Sequence, residues 1–253
     1  MPEIVQPKID RAYDCIDEER ALLEAERDAF QTLRRRVSTI QVDQSGPTAV
    51  ETGNTVAVTT PSFRPQSGGL RKIRDAYRET VMAVPHYDSE YGESLRENLE
   101  VECGASLARH LLDGDVLTPA MYNAFVDACT QAQDTRERTL TRIEHEQQSL
   151  ERFETALTDI ESTVIDVSEQ VESASRSPDR IDETLETAQT RCMDHASERQ
   201  EQLHERAEKD IPGVERLSLV EYLYADLETT TPVLSDIAAC LETIRHQRRR
   251  CLR

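Results

Sequence analysis

The chain has 253 residues and a formal net charge of −19, with 37% hydrophobic residues, 4% aromatic residues and no tryptophan. So little apolar material excludes a large globular core and leaves mutually covering helix stripes as the way to bury it. Of the thirty basic residues only Lys8, Lys72 and Lys209 are lysines, which points to an acidic protein of a salt-rich cytoplasm, where at about 1 M salt a Debye length of ~3 Å screens carboxylate repulsion.

Ile9, Ile16, Leu23, Phe30 and Val37 recur at every seventh position and predict a first bundle helix over residues 1–42, starting near Ile4. A second line, Val5, Ala12, Leu33 and Ile40, is interrupted by Glu19 and Glu26. Such a wide, imperfect stripe suits packing among several helices better than a two-stranded seam. Residues 43–69 carry Gly46, Pro47, Gly53, Pro61, Pro65, Gly68 and Gly69 and read as a flexible linker. A small hairpin is the alternative there, pairing 48–50 with 56–58 across Gly53-Asn54.

Helix is expected again from Leu70 until Pro85 stops it. A loop, PHYDSEYGES, and a further helix from Ser94 to Leu112, disturbed at Gly104, complete a small helical insert over 70–117. Thr118-Pro119 opens a long helix to about residue 175, with threonine as N-cap and proline at the first helical position. At 1.5 Å per residue it is about 85 Å long. Its seven-residue line runs through Tyr122, Cys129, Arg136, Ile143, Leu150, Leu157, Val164 and Val171. The line is weakest near Gln133, Arg136 and Gln147, so that waist is expected to be more exposed or more mobile than the ends. Ser177-Pro178 repeats the cap for a helix to about Lys209, whose thin stripe is Ile181, Leu185, Ala188, Cys192, Arg199 and Leu203. A short helix over Leu217–Leu227 and a last one after Pro232 follow. The expected fold is all-α: an elongated antiparallel helical bundle or coiled coil over the first helix and residues 118–253, carrying the insert.

The opening MPEIVQPKID has no apolar h-region, and no stretch reaches the length of a membrane span. A cytoplasmic protein with no membrane contact is expected. The six cysteines, Cys15, Cys103, Cys129, Cys192, Cys240 and Cys251, form no CxxC pair, and several lie on apolar stripes. Reduced, core-filling thiols are the expectation.

No catalytic, cofactor-binding or metal site is predicted. GxSxG, P-loop and GxGxxG patterns are missing. Glu201 and His204 make a single E-x-x-H step, where a di-iron bundle needs two and further glutamates. Cys192 and His195 share a helix face with no second pair to complete a zinc site. Two arginine clusters, Arg34-Arg35-Arg36 and Arg245, Arg248, Arg249, Arg250, Arg253, sit in last turns of helices, where cations meet the helix dipole. Molar salt would weaken their contacts with phosphate, so nucleic acid is not the expected partner.

The candidate interaction surface is the segment Tyr77–Glu93, which gathers Tyr77, Arg78, His86, Tyr87, Asp88 and Tyr91. Amphipathic rings with hydroxyl tips suit both a packed corner and a recognition surface. The favoured function is a non-enzymatic interaction or scaffold protein with a protein partner still to be named. A homodimer along the long helix is an open arrangement. The alternative is a DNA-associated regulatory protein using the 70–130 helices and the arginine clusters.

AYRETVMAVPHYDSEYGESL, with the downstream VECGASLA and VLTPAMYNAF, resembles a haloarchaeal family of uncharacterised coiled-coil proteins with a YRETVMAVPHY-type motif. The resemblance covers most of the chain. It implies a halophilic, archaeal origin and adds no mechanism. Ser94, in place of a proline, and Cys103, in place of an aromatic residue, depart from the family pattern, and both changes are expected to loosen the insert.

Overall fold

The computed structural model describes residues 7–40, 42, 68–172, 177–207 and 218–251. The described residues are mostly helical and contain no strand. The proposed 48–58 hairpin lies outside them, as does almost all of the 43–69 linker.

Helix α1 is Pro7–Val37. It stops short of Val42 because Ser38 Oγ and Thr39 Oγ1 donate to the carbonyls of Arg35 and Arg36, at 2.8 and 2.7 Å, and turn the chain. Helix α2, Gly68–Arg78, begins two residues before the predicted start. A Cβ built on Gly69 would meet the Leu117 side chain at 3.0 Å, so the glycine there permits close packing. Alpha-helix ends at Arg78 rather than Val84. Thr80 Oγ1 donates back to Ala76 O at 2.7 Å, and a 3-10 turn, Val81–Ala83, carries the chain to Pro85.

The loop predicted after Pro85 contains one helical turn, α3, Tyr87–Glu90. Gly104, at φ 82°, splits the next helix into α4, Leu95–Cys103, and α5, Ala105–Asp113. Ser94 tightens α4 rather than loosening it. Its Oγ accepts from Glu97 N while the Glu97 carboxylate accepts from Ser94 N, a capping box. Helix α6 is Pro119–Glu172, 54 residues, with Thr118 Oγ1 accepting from Met121 N at 3.2 Å. Helix α7 is Pro178–Ala207, α8 is Leu219–Leu223 with a second capping box at Ser218, and α9 is Pro232–Cys251. None of these is long and apolar enough to cross a membrane.

The chain forms two compact units, Met1–Ala21 with Leu140–Arg253 and Leu22–Thr139, so α1 and α6 contribute to both. In the first unit Tyr13 and Arg20 of α1 pair with Glu154 and Gln147 of α6. Numbers rise on one helix as they fall on the other, so the two are antiparallel. By the same reading Glu146 with Arg199, and Phe153 with His195, set α7 antiparallel to α6. Cys192 against Cys240 and Asp182 against Arg248 set α9 antiparallel to α7. Asp236 of α9 accepts from Ile9 N at 3.0 Å and so satisfies one of the open N–H groups in the first turn of α1.

The second unit packs the C-terminal half of α1, helices α2 to α5 and the start of α6. Phe30, Leu33, Ile73, Leu99, Leu111 and Phe125 are all at most 1% exposed and share one core. Each such side chain contributes about 1.5–3 kcal/mol by leaving water. Residues 70–117 therefore complete a core with α1 and α6.

Candidate functional site

The corner singled out in the sequence has an inner and an outer side. Tyr77 is fully buried, and its hydroxyl donates to Asn98 Oδ1 at 2.7 Å. Asn98 Nδ2 donates onward to Glu93 at 2.9 Å. Tyr87 is 4% exposed, and its burial pushes the phenol up to about 12. These two rings belong to the core, which corrects the expectation that they line a surface. Arg78 and Asp88 are exposed. Tyr91 leaves one side of its ring in water, and its hydroxyl reaches inward.

His86 and Tyr91 converge on one carboxylate that lies far away in sequence. His86 Nε2 is 3.1 Å and Tyr91 Oη 2.7 Å from Glu26 Oε1. Arg136 Nε donates to Glu26 Oε2 at 3.0 Å, and its other nitrogens hold Glu102 at 3.0 and 2.5 Å. Arg136 also lies over the Phe30 ring, 5.0 Å from its centroid. Burial would raise the pKa of Glu26, but the Tyr91 hydroxyl, the Arg136 guanidinium and His86 overrule it and hold the carboxyl below its ordinary range. The same environment pushes the Tyr91 phenol upward, by burial first and by its bond to Glu26 second.

The waist at Arg136 is thus closed, contrary to the expectation of an exposed stretch. The side chains of Arg136, Glu26 and Glu102 are 16%, 8% and 12% exposed. A charge in an apolar line marks a break in packing only when nothing answers it, and here two carboxylates do.

The first unit repeats this chemistry. Arg199 and Glu146, 1% and 0% exposed, form a two-pronged pair at 3.2 and 2.6 Å. Ser149 Oγ accepts from Arg199 at 3.1 Å, and Tyr224 Oη donates to Glu146 Oε1 at 3.0 Å. Phe153 lies beneath the guanidinium, at 5.9 Å. Both nodes combine a guanidinium, a carboxylate, a tyrosine hydroxyl and a phenylalanine face. Their donors and acceptors bind one another, so each node fixes helices together. Sequence reasoning placed Glu26, Arg136 and Arg199 within stripes but did not join them to partners. Their charge at apolar heptad positions was the available signal.

Among the described residues no group of three or more His, Cys, Asp and Glu is placed to hold a metal ion. Glu201 and His204 lie on an exposed face. Cys192 turns inward to Cys240, whereas the His195 ring stands edge-on to Phe153, which separates that pair.

The arginine clusters divide. Arg34 donates to Gln133 at 2.8 Å, and Arg36 pairs with Glu79 at 2.7 Å. Arg248 holds Asp182 at 2.8 and 3.1 Å and so joins α9 to α7. Arg245, His246, Arg249 and Arg250 instead line an open recess of about 1110 Å³ on α9, with Gln189 and Glu242 at its margin. Those four cationic or titratable groups have no carboxylate partner among the described residues.

The family described as a domain of unknown function (DUF7260) matches residues 7–248, and the chain belongs to it. No curated protein and no solved structure matches the chain.

Proposed function

We propose that this member of the DUF7260 family is a non-enzymatic scaffold of a halophilic archaeal cytoplasm, docking a protein partner on the outer side of the Arg78–Glu93 corner. One observation carries the reading. The exposed Arg78, Asp88 and Tyr91 belong to a turn whose inner side is pinned to Glu26 by His86 and Tyr91. A charged and aromatic surface held still in advance loses little freedom on binding. The test is capture from lysate in molar KCl with the wild type and with the double variant Arg78→Ala/Asp88→Ala. These substitutions touch exposed side chains, so the circular dichroism spectrum should not change. A protein retained reproducibly by the wild type and lost by the variant supports the reading. Equal retention, or turnover of a small molecule by the purified protein, overturns it.

A second reading, a DNA-associated regulator, rests on the α9 recess. Four adjacent groups without carboxylate partners among the described residues, in a chain of net charge −19, form a local exception that phosphates would favour. It predicts DNA retention that weakens steeply with salt and is lost in Arg245→Ala/Arg249→Ala/Arg250→Ala. Arg248 is kept in that variant because it ties two helices together. Failure to retain DNA at any salt removes this reading and leaves the first untouched.

A further inference from the structure

Four of the six cysteines fit the role of filler. Burial pushes the Cys103 thiol up to about 12 and raises Cys129 as well, while Cys15 and Cys251 are half-buried single thiols. Cys192 and Cys240 differ. They face each other from antiparallel helices α7 and α9, both 0% exposed, with their sulfurs 3.7 Å apart. Two thiols in contact across a helix interface need only a side-chain rotation and a small approach to reach a bonded sulfur separation of about 2.05 Å.

We propose that Cys192 and Cys240 form a reversible disulfide that locks α7 to α9. The oxidant is a low-molecular-weight disulfide. The Cys192 thiolate attacks one of its sulfurs and expels a thiolate, leaving a mixed disulfide on Cys192. The Cys240 thiolate then attacks the Cys192 sulfur and expels the second. Two protons leave the protein thiols and end on the two released small thiols. Two electrons pass from the cysteine pair to the small disulfide. A proton shared between the sulfurs favours the Cys192 thiolate, whose thiol is held below the ordinary range by Cys240, while Cys240 keeps its proton until that thiolate is consumed. Because neither sulfur is exposed, local opening of the helix pair sets the rate, and the finished bond is equally shielded from reductant. The link joins positions 48 residues apart. Closing a loop of that length removes much of the freedom of the unfolded chain.

The test incubates the full chain in molar KCl with bis(2-hydroxyethyl) disulfide, followed by alkylation under denaturing conditions and peptide mapping. The expected product is lighter by about 2 Da, links the Cys192 and Cys240 peptides, and melts about 10 °C higher, all reversed by dithiothreitol. Cys192→Ser and Cys240→Ser each abolish the linked peptide. A stable adduct of the small thiol on either cysteine overturns the proposal. So does a link between other cysteines, or full recovery of free Cys192 and Cys240 after the helices have been allowed to open at elevated temperature. The map of the wild-type protein decides the matter even if a serine variant folds poorly.

Discussion

Replacing Arg199 with methionine is expected to destabilise the protein by about 3–5 kcal/mol, because it leaves Glu146 charged and buried without its counter-ion. For a chain of this size that corresponds to a fall in Tm of about 10 °C, read by thermal circular dichroism in molar KCl. The size of the effect follows from burial, since a pair in water would contribute about 1 kcal/mol or less. Arg199 and Glu146 are 1% and 0% exposed, so water cannot replace the lost guanidinium. Adding Glu146→Gln removes the stranded charge and still offers an amide oxygen to Tyr224 Oη, which now donates to Glu146 at 3.0 Å. Ser149 keeps its bond with Gln202 at 3.0 Å. The double variant should therefore recover most of the loss. A single variant within about 1 kcal/mol of the wild type, or a double variant as unstable as the single, would contradict the account.

The helices themselves were legible because their signals are local. The lines Ile9–Val37 and Tyr122–Val171 need only a seven-residue period, and Thr118-Pro119 and Ser177-Pro178 need only adjacent residues to mark a start. Gly104 announced its break in the same way. Where a side chain took over a backbone carbonyl, as at Ser38, Thr39 and Thr80, periodicity overran the true helix end. The polar nodes were half legible. Glu26 interrupts a line on α1, Arg136 one on α6, and Arg199 sits in the thin stripe of α7. Each alone reads as weak packing. Their meaning depends on which helix faces which, a register fixed by contacts such as Arg34 with Gln133 more than ninety residues away. Glu102 and Asn98 carried no signal at all, since an acid or amide in a short helix is ordinary until a partner faces it. The corner motif is conspicuous in the sequence, but period alone could not say that Tyr77 and Tyr87 turn inward while Arg78 and Asp88 face water.

The Glu26 node carries the second large expectation, and its direction with pH follows from the sign of one shift. The Glu26 carboxyl sits below its ordinary range in the folded protein. A group depressed by folding stabilises the fold above its unfolded value, about 4.3 for glutamate, and that contribution is lost as pH falls through the lower folded value. Arg136→Met removes a principal cause of the depression and leaves the burial, which by itself pushes the carboxyl upward. The variant is then destabilised at neutral pH, by about 3–5 kcal/mol for a broken buried pair, and relieved as acid protonates the carboxylates of Glu26 and Glu102 that Arg136 had paired. Both effects narrow the gap between wild type and variant in the same direction. The forty-nine acidic residues make absolute stability fall in acid for many reasons, so the informative quantity is the difference between the two proteins. Urea unfolding in molar KCl should give a constant difference between about pH 7 and pH 8, and a smaller one by about pH 4. A gap that widens toward acid would mean that Arg136 does not hold Glu26 ionised. A gap that stays level would place the contribution of Arg136 in its stacking on Phe30, 5.0 Å from the ring centroid, rather than in charge.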